Sequence, residues 1–185
     1  MQIFAWLQRF SKKEKTIGLF AFCVLMISLS LCFCRHKSDI QPAGAQLSEV
    51  VNIIRNNFRT RPDYWQLSNA WLISQNILPS KMIQDNAIIN LLDKPVFIGS
   101  GMSGQVLMPG AKSFDVAYQN LSYDECVGLS GYEFLQNEVL GLISITIING
   151  AEENKYTWGD GGLPLSPQTA QKICRDKNIL IWNFE

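Results

Sequence analysis

The apolar positions change period several times along the chain. Ile17 to Cys34 is an uncharged run, IGLFAFCVLMISLSLCFC, with no polar face. Leu47, Val50, Val51, Ile54 and Phe58 recur at helical spacing opposite Asn52, Arg55 and Asn56, predicting an amphipathic helix packed on a globular head. Gln41-Pro42-Ala43-Gly44-Ala45 just before it predicts a helix interruption or a flexible joint. After the break at Arg61-Pro62-Asp63, Pro62 suits the first turn of a new helix. Tyr64, Leu67, Trp71 and Leu72 continue it towards Pro79 as core positions.

From residue 95 the period shortens. Val96-Phe97-Ile98, Gln105 to Met108 and Phe114 to Tyr118 read as strands separated by Gly and Pro. Ser122-Tyr123-Asp124-Glu125 has the form of a capping box and opens a helix predicted to reach about Asn137. Leu142 to Ile148 is a strand ended by the turn Asn149-Gly150, and Lys155 to Trp158 returns as its hairpin partner. Ser166-Pro167 starts a helix running to about Cys174, and Ile179 to Phe184 is a terminal strand. Helices first and an antiparallel sheet later make the expected class α+β.

Charge divides where the pattern does. The 185 residues carry 16 Lys+Arg and 16 Asp+Glu, yet the segment through Lys37 has six basic residues against Glu14 alone, and the remainder is acidic by five. The eighteen uncharged residues from Ile17 to Cys34, polar only at Ser28 and Ser30, make about 27 Å of helix, enough for a bilayer core. Arg9, Lys12, Lys13 and Lys15 ahead of the run hold the N-terminus in the cytosol under the positive-inside rule. The bulk of the chain then lies outside the cytosol. A cleaved secretory signal is the poorer reading, since the run ends in Cys-Phe-Cys-Arg and has no small-residue cleavage site nearby. Only 17% charged residues and 47% hydrophobic ones exclude a disordered chain and the usual basic nucleic-acid binder.

Cys23, Cys32 and Cys34 fall in the apolar run and serve as small apolar residues. Cys126 and Cys174 are left as an even pair in an oxidising compartment, which reads as a disulfide; two free buried thiols are the alternative. The sole histidine, His36, sits between Arg35 and Lys37 at the membrane edge, so no Ser-His-Asp or Cys-His arrangement can form in the ectodomain. Asp160 lacks the accompanying acids of a calcium loop, and Gly99-Ser-Gly-Met-Ser-Gly104 lacks the Gly-Lys-Ser/Thr of a phosphate loop. The expectation is no enzyme, no cofactor and no metal.

The basic stretch SKKEKTIG, ending in Gly18 before the apolar run, is similar to the prepilin pattern of type IV pilins. The chain further resembles the type IVb pilins, closest in character to bundle-forming pilins and the thin-pilus pilins of conjugative plasmids. The segments that carry the likeness include Asn76-Ile-Leu-Pro-Ser-Lys-Met82, Phe114-Asp-Val-Ala-Tyr-Gln-Asn120 and Asp124-Glu-Cys-Val-Gly-Leu129. Ile147-Ile-Asn-Gly150, Pro164 through Cys174 and Asn178-Ile-Leu-Ile-Trp-Asn-Phe184 complete it.

That resemblance implies a type IV pilin-like fold with a long N-terminal hydrophobic helix and a head built on an antiparallel sheet. It divides the chain into a leader at 1–18, a transmembrane helix at 19–37 and an exported disulfide-stapled head at 38–185. It also implies cleavage by a prepilin peptidase between Gly18 and Leu19, methylation of the new amine and residence in the bacterial inner membrane with a periplasmic head. The subunit then passes into an extracellular pilus, with other pilin subunits as partners. One position departs from the pattern. Cleavage after Gly18 makes Cys23 the fifth mature residue, where major pilins carry glutamate, so the resemblance points to a minor pilin for initiation or the tip. The competing expectation is an anchored periplasmic binding or assembly factor, or a tip adhesin, with Trp158 as a partner contact.

Overall fold

In a computed structural model of the chain, the residues described are 39–100, 110–131, 141–159 and 162–185. The expected leader, the transmembrane helix, Gly18, Leu19, Cys23 and the strand at 105–108 lie outside them. Among the described residues no helix is long and apolar enough to cross a membrane.

Residues Asp39–Glu185 form one compact unit. Its first element, α1, is helical over 39–58. Ala43, Leu47, Val50, Val51, Ile54 and Phe58 are buried along one stripe, as their spacing predicts. The expected interruption at Pro42-Ala43-Gly44 is absent, because all three residues are helical. Ala43 and Gly44 are buried, so the small side chains act here as a tight seat for the helix rather than as a joint. Close approach recurs further on, where a Cβ added at Gly128 would stand 2.7 Å from the Ile40 side chain.

The helix expected from Pro62 is also displaced. Residues 59–67 are turns, and α2 covers only Asn69–Gln75. Asp63 competes with helix formation: its carboxylate accepts from Trp65 N at 3.2 Å and from Gly110 N at 3.0 Å. Ser68 is the actual N-cap, accepting from Trp71 N. A 3-10 turn at Ser80–Met82 leads to a small hairpin that periodicity did not signal, β1 (Ile83–Gln84) and β2 (Ala87–Ile88). Its turn residues Asp85 and Asn86 both take left-handed φ, 49° and 61°, as residues of this type do in mirror-image hairpin turns.

The main sheet has β3 (Val96–Gly99), β4 (Phe114–Leu121), β5 (Leu142–Asn149), β6 (Glu152–Thr157) and β7 (Asn178–Phe184) in the order β3-β4-β7-β5-β6, all antiparallel. The C-terminal strand is therefore the centre. Two short helices join these strands: α3 (Tyr123–Ser130) follows β4, and α4 (Pro167–Ile173) precedes β7. The α3 capping box is present with both reciprocal bonds, but the helix ends at Ser130 with Gly131 as C-cap, short of Asn137.

Register puts Phe114, Phe184 and Leu142 in one row, Val116, Trp182 and Ile145 in the next, and Tyr118, Leu180 and Ile147 in a third. These rows and the α1 stripe make a single buried cluster. Aromatic rings connect the two layers: Phe58 stacks on Tyr64 at 5.2 Å, Tyr64 meets Phe114 at 4.8 Å, and Phe114 stacks on Phe184 at 5.6 Å.

One buried amide ties the end of β4 to the start of β7. Asn178 Oδ1 accepts from Arg175 N at 2.8 Å, and Nδ2 donates to Leu121 O at 3.1 Å, to Ser122 O at 3.4 Å and to Arg175 O. Asn178 is fully buried, so removing the amide strands several backbone groups without solvent. Asn178→Ala is expected to destabilise the head by about 2–4 kcal/mol, read as a lower urea midpoint at unchanged slope.

Candidate functional site

Among the described residues there is no group of three or more His, Cys, Asp or Glu side chains able to hold a metal. What the structure builds instead is a stapled surface module around β7. The capping box aims α3 so that Cys126 faces inward, and Ser166 with Pro167 starts α4 so that Cys174 falls at its C-cap. Cys126 and Cys174 are joined in a disulfide with Cα atoms 5.9 Å apart, and both are fully buried. Of the two readings open at the level of sequence, the bonded one holds.

Side chains extend this staple in three directions. Arg175 Nη1 donates to Cys174 O at 2.8 Å, next to the Asn178 cluster. Asn149 Nδ2, at the hairpin turn, donates to Ile173 O at 2.8 Å and so ties the β5–β6 hairpin to α4. Glu125, mostly buried and already bonded to Ser122 N at 2.7 Å, pairs with Lys94 at 3.6 Å. The acidic pair Asp124/Glu125 is thus a helix start, as the pattern suggested.

Trp158 stands at the open end of β6, 40% exposed. Its indole N–H donates to Leu142 O at 2.6 Å, which anchors the polar edge of the ring and leaves apolar surface to solvent. Leu163 bridges back to Trp158, and Leu163 N donates to Thr157 O at 2.8 Å. Gly162 is required there: a Cβ would sit 1.7 Å from Thr157 O. The structure does not bring Trp158 into the disulfide cluster.

Sequence reasoning missed a buried acid. Asp115 follows Phe114 on β4, opposite Asn183 of β7, and is 4% exposed on the sheet face away from α1. Asn183 Nδ2 donates to Asp115 Oδ1 at 2.7 Å, whereas Asp115 Oδ2 has no hydrogen-bond partner among the described residues. Burial pushes this carboxyl up from its ordinary value, opposed by the Asn183 bond and by the charge of Lys155. A polar residue on the outward period of a strand carries no signal that its neighbours will cover it.

The sequence model of the Bundlin family matches residues 36–179, well over half of the chain. The chain belongs to the bundlin family of type IVb pilins. Its fold is similar to that of TcpA, a type IV pilin from the Vibrio cholerae El Tor biotype, at 14% identity and a TM-score of 0.55. A type IVb pilin from Salmonella typhi is likewise similar, at 14% identity and a TM-score of 0.53. Each comparison covers 80% of this chain and 99% of the solved one. No curated protein sequence matches the chain. As a type IV pilin the chain is a structural subunit, and its family consists of assembly proteins rather than known enzymes. The bundlin-family head is thus an α+β pilin head whose disulfide-bounded region spans β5, β6 and α4.

Two outcomes test this region. Cys126 and Cys174 lie 48 positions apart, so opening the disulfide restores about 4 kcal/mol of chain entropy to the unfolded state. The urea midpoint of Cys126→Ala/Cys174→Ala is expected to fall accordingly. The Asp115 carboxyl is raised in the folded state, so between its unfolded and folded values the native head binds more of this proton than the unfolded chain does. Its contribution is fully favourable below the ordinary aspartate range and is lost as pH rises through the folded value. Asp115→Asn is expected to flatten that part of the stability–pH curve and to raise stability at neutral pH, measured by urea melts across pH.

Proposed function

We propose that this bundlin-family chain is a minor subunit of a type IVb pilus, acting at filament initiation or at the tip. In this reading the leader 1–18 is removed by a prepilin peptidase, and Leu19 becomes the methylated N-terminus of a membrane helix. The head then stands in the periplasm until the subunit leaves the inner membrane for the extracellular filament.

The observation that carries the minor role is Cys23. A charged amine carried into a hydrophobic helix bundle needs a counter-charge, and the family supplies it with an acid at mature position five. Cys23 provides no charge there. A subunit of this kind leaves a neighbour's amine uncompensated and suits a filament end, where that neighbour is absent. Trp158 favours a second role within the same assembly. Its ring is fixed by the Leu142 bond and exposed, as a contact anchor for a partner or surface would be.

Mass spectrometry of the protein from membranes and sheared pili tests the proposal. Mature Leu19 with a methylated amine, at low abundance relative to another pilin, is the expected result. An intact Met1 overturns the processing and favours an anchored assembly factor, and dominance in the sheared filament overturns the minor role.

A further inference from the structure

The two edges of the main sheet are treated differently. On β3 the side chain of Asn69 takes the place of a neighbouring strand: Nδ2 donates to Val96 O at 2.7 Å and Oδ1 accepts from Ile98 N at 2.8 Å. Ser68 bridges Gly99 beside it, so this edge is closed.

The other edge, β6, is open over a short and defined stretch. The two-residue loop Gly150-Ala151 makes Asn149 and Glu152 the closing pair of the hairpin. Hydrogen-bonded and non-bonded pairs alternate from there, so Glu152, Asn154 and Tyr156 turn their backbone groups towards β5. Glu153, Lys155 and Thr157 turn theirs outward. Thr157 fits this phase, since its carbonyl accepts from Leu163 N at 2.8 Å on the outer side. That leaves the N–H and C=O of Glu153 and Lys155 facing away from the sheet, without partners among the described residues.

Both side chains are exposed, and their register partners on β5, Ile148 and Thr146, are uncharged. Charged residues on an edge ordinarily deter pairing. Here the two charges are opposite and two positions apart, around Asn154. An antiparallel copy of the same strand, related by a two-fold axis at Asn154, sets Glu153 of each copy against Lys155 of the other. Moving the axis by one residue in either direction opposes two glutamates or two lysines. The edge is therefore complementary to itself in one register and repulsive in the adjacent ones.

We propose that β6 is an isologous contact between two copies of this chain, pairing Glu153 with Lys155 through four backbone hydrogen bonds about a two-fold axis at Asn154. Such a contact closes on itself and cannot propagate, so it joins two heads or two filaments and is separate from the repeating contact of a filament. Its brevity makes it weak, and covalent trapping is the suitable probe.

Asn154 of each copy meets at a non-hydrogen-bonded position, where Cβ atoms stand about 4.5–5.5 Å apart, within reach of a disulfide after small adjustment. The test uses the full chain in detergent micelles with Cys23, Cys32 and Cys34 replaced by alanine and Asn154→Cys introduced. Mild oxidation is expected to give a reducible dimer on gels with the Cys126–Cys174 bond intact. Glu153→Lys or Lys155→Glu is expected to lower the rate of trapping at least about tenfold, because two attractive cross-strand pairs become repulsive. The double exchange Glu153→Lys/Lys155→Glu restores the complement and is expected to recover the dimer. Absence of the dimer, or trapping indifferent to the single exchanges, overturns the proposal, as does failure of the double exchange to rescue when its thermal melt is unchanged.

Discussion

The head depends on the pairing of its last strand between two strands from earlier in the chain. β7 contributes Leu180, Trp182 and Phe184 to the core, and it hydrogen-bonds to β4 on one side and β5 on the other. Until Asn178–Phe184 are in place, β4 and β5 have no common neighbour and α1 has no continuous surface to cover. Bringing the chain end back to the sheet centre costs loop-closure entropy. The disulfide and the Asn178 cluster offset that cost at the place where α4 hands over to β7. They act on the same short segment, one covalently and one by satisfying buried backbone groups.

Around that strand the molecule separates rigid from adaptable surface. The face towards α1 is apolar and interlocked through aromatic rings. The opposite face carries Asp115, Ser144 and Thr146 at buried positions and Asn183 half-buried beside them, with Phe97 and Lys155 towards its edges. Arg61 adds a further lock at the end of α1. Its guanidinium lies 4.7 Å from the Phe58 ring and 4.9 Å from the Trp71 ring, which ties the turn at 59–67 to both helices. A subunit that must survive export and handling in a filament benefits when its exposed loops are pinned by local side-chain bonds. Asp63, Asn149 and Trp158 all do this here.

Legibility in the sequence followed the range of the interaction. The α1 stripe, the capping box at Ser122, the Pro167 start of α4, the β5–β6 hairpin and the terminal strand were readable because each is marked by a cap, a turn or an apolar period within a few residues, whatever distant segment it packs on. Periodicity misplaced the helix near Pro62, where Asp63 bonds to the backbone of Gly110, 47 positions away. The turn-forming residues of Gln41-Pro42-Ala43-Gly44-Ala45 suggested an interruption or a flexible joint, where burial against the head favours helix. The β1–β2 hairpin went unseen because two-residue strands have no period, although Asp85-Asn86 held the turn signal.

The sequence by itself determined the membership of the chain in a pilin family, the α+β order of its elements and the chemistry available to it. Composition, caps and turn residues act locally and are written in order along the chain. Only the tertiary structure decided that β7 is central, that Cys126 meets Cys174, that Asp115 is buried beside Asn183 and that, among the described residues, Asn69 closes one sheet edge while nothing pairs with the outer edge of β6 at Glu153 and Lys155. Those outcomes depend on strand register and on which distant segments share a row, and register is set by packing the whole core at once.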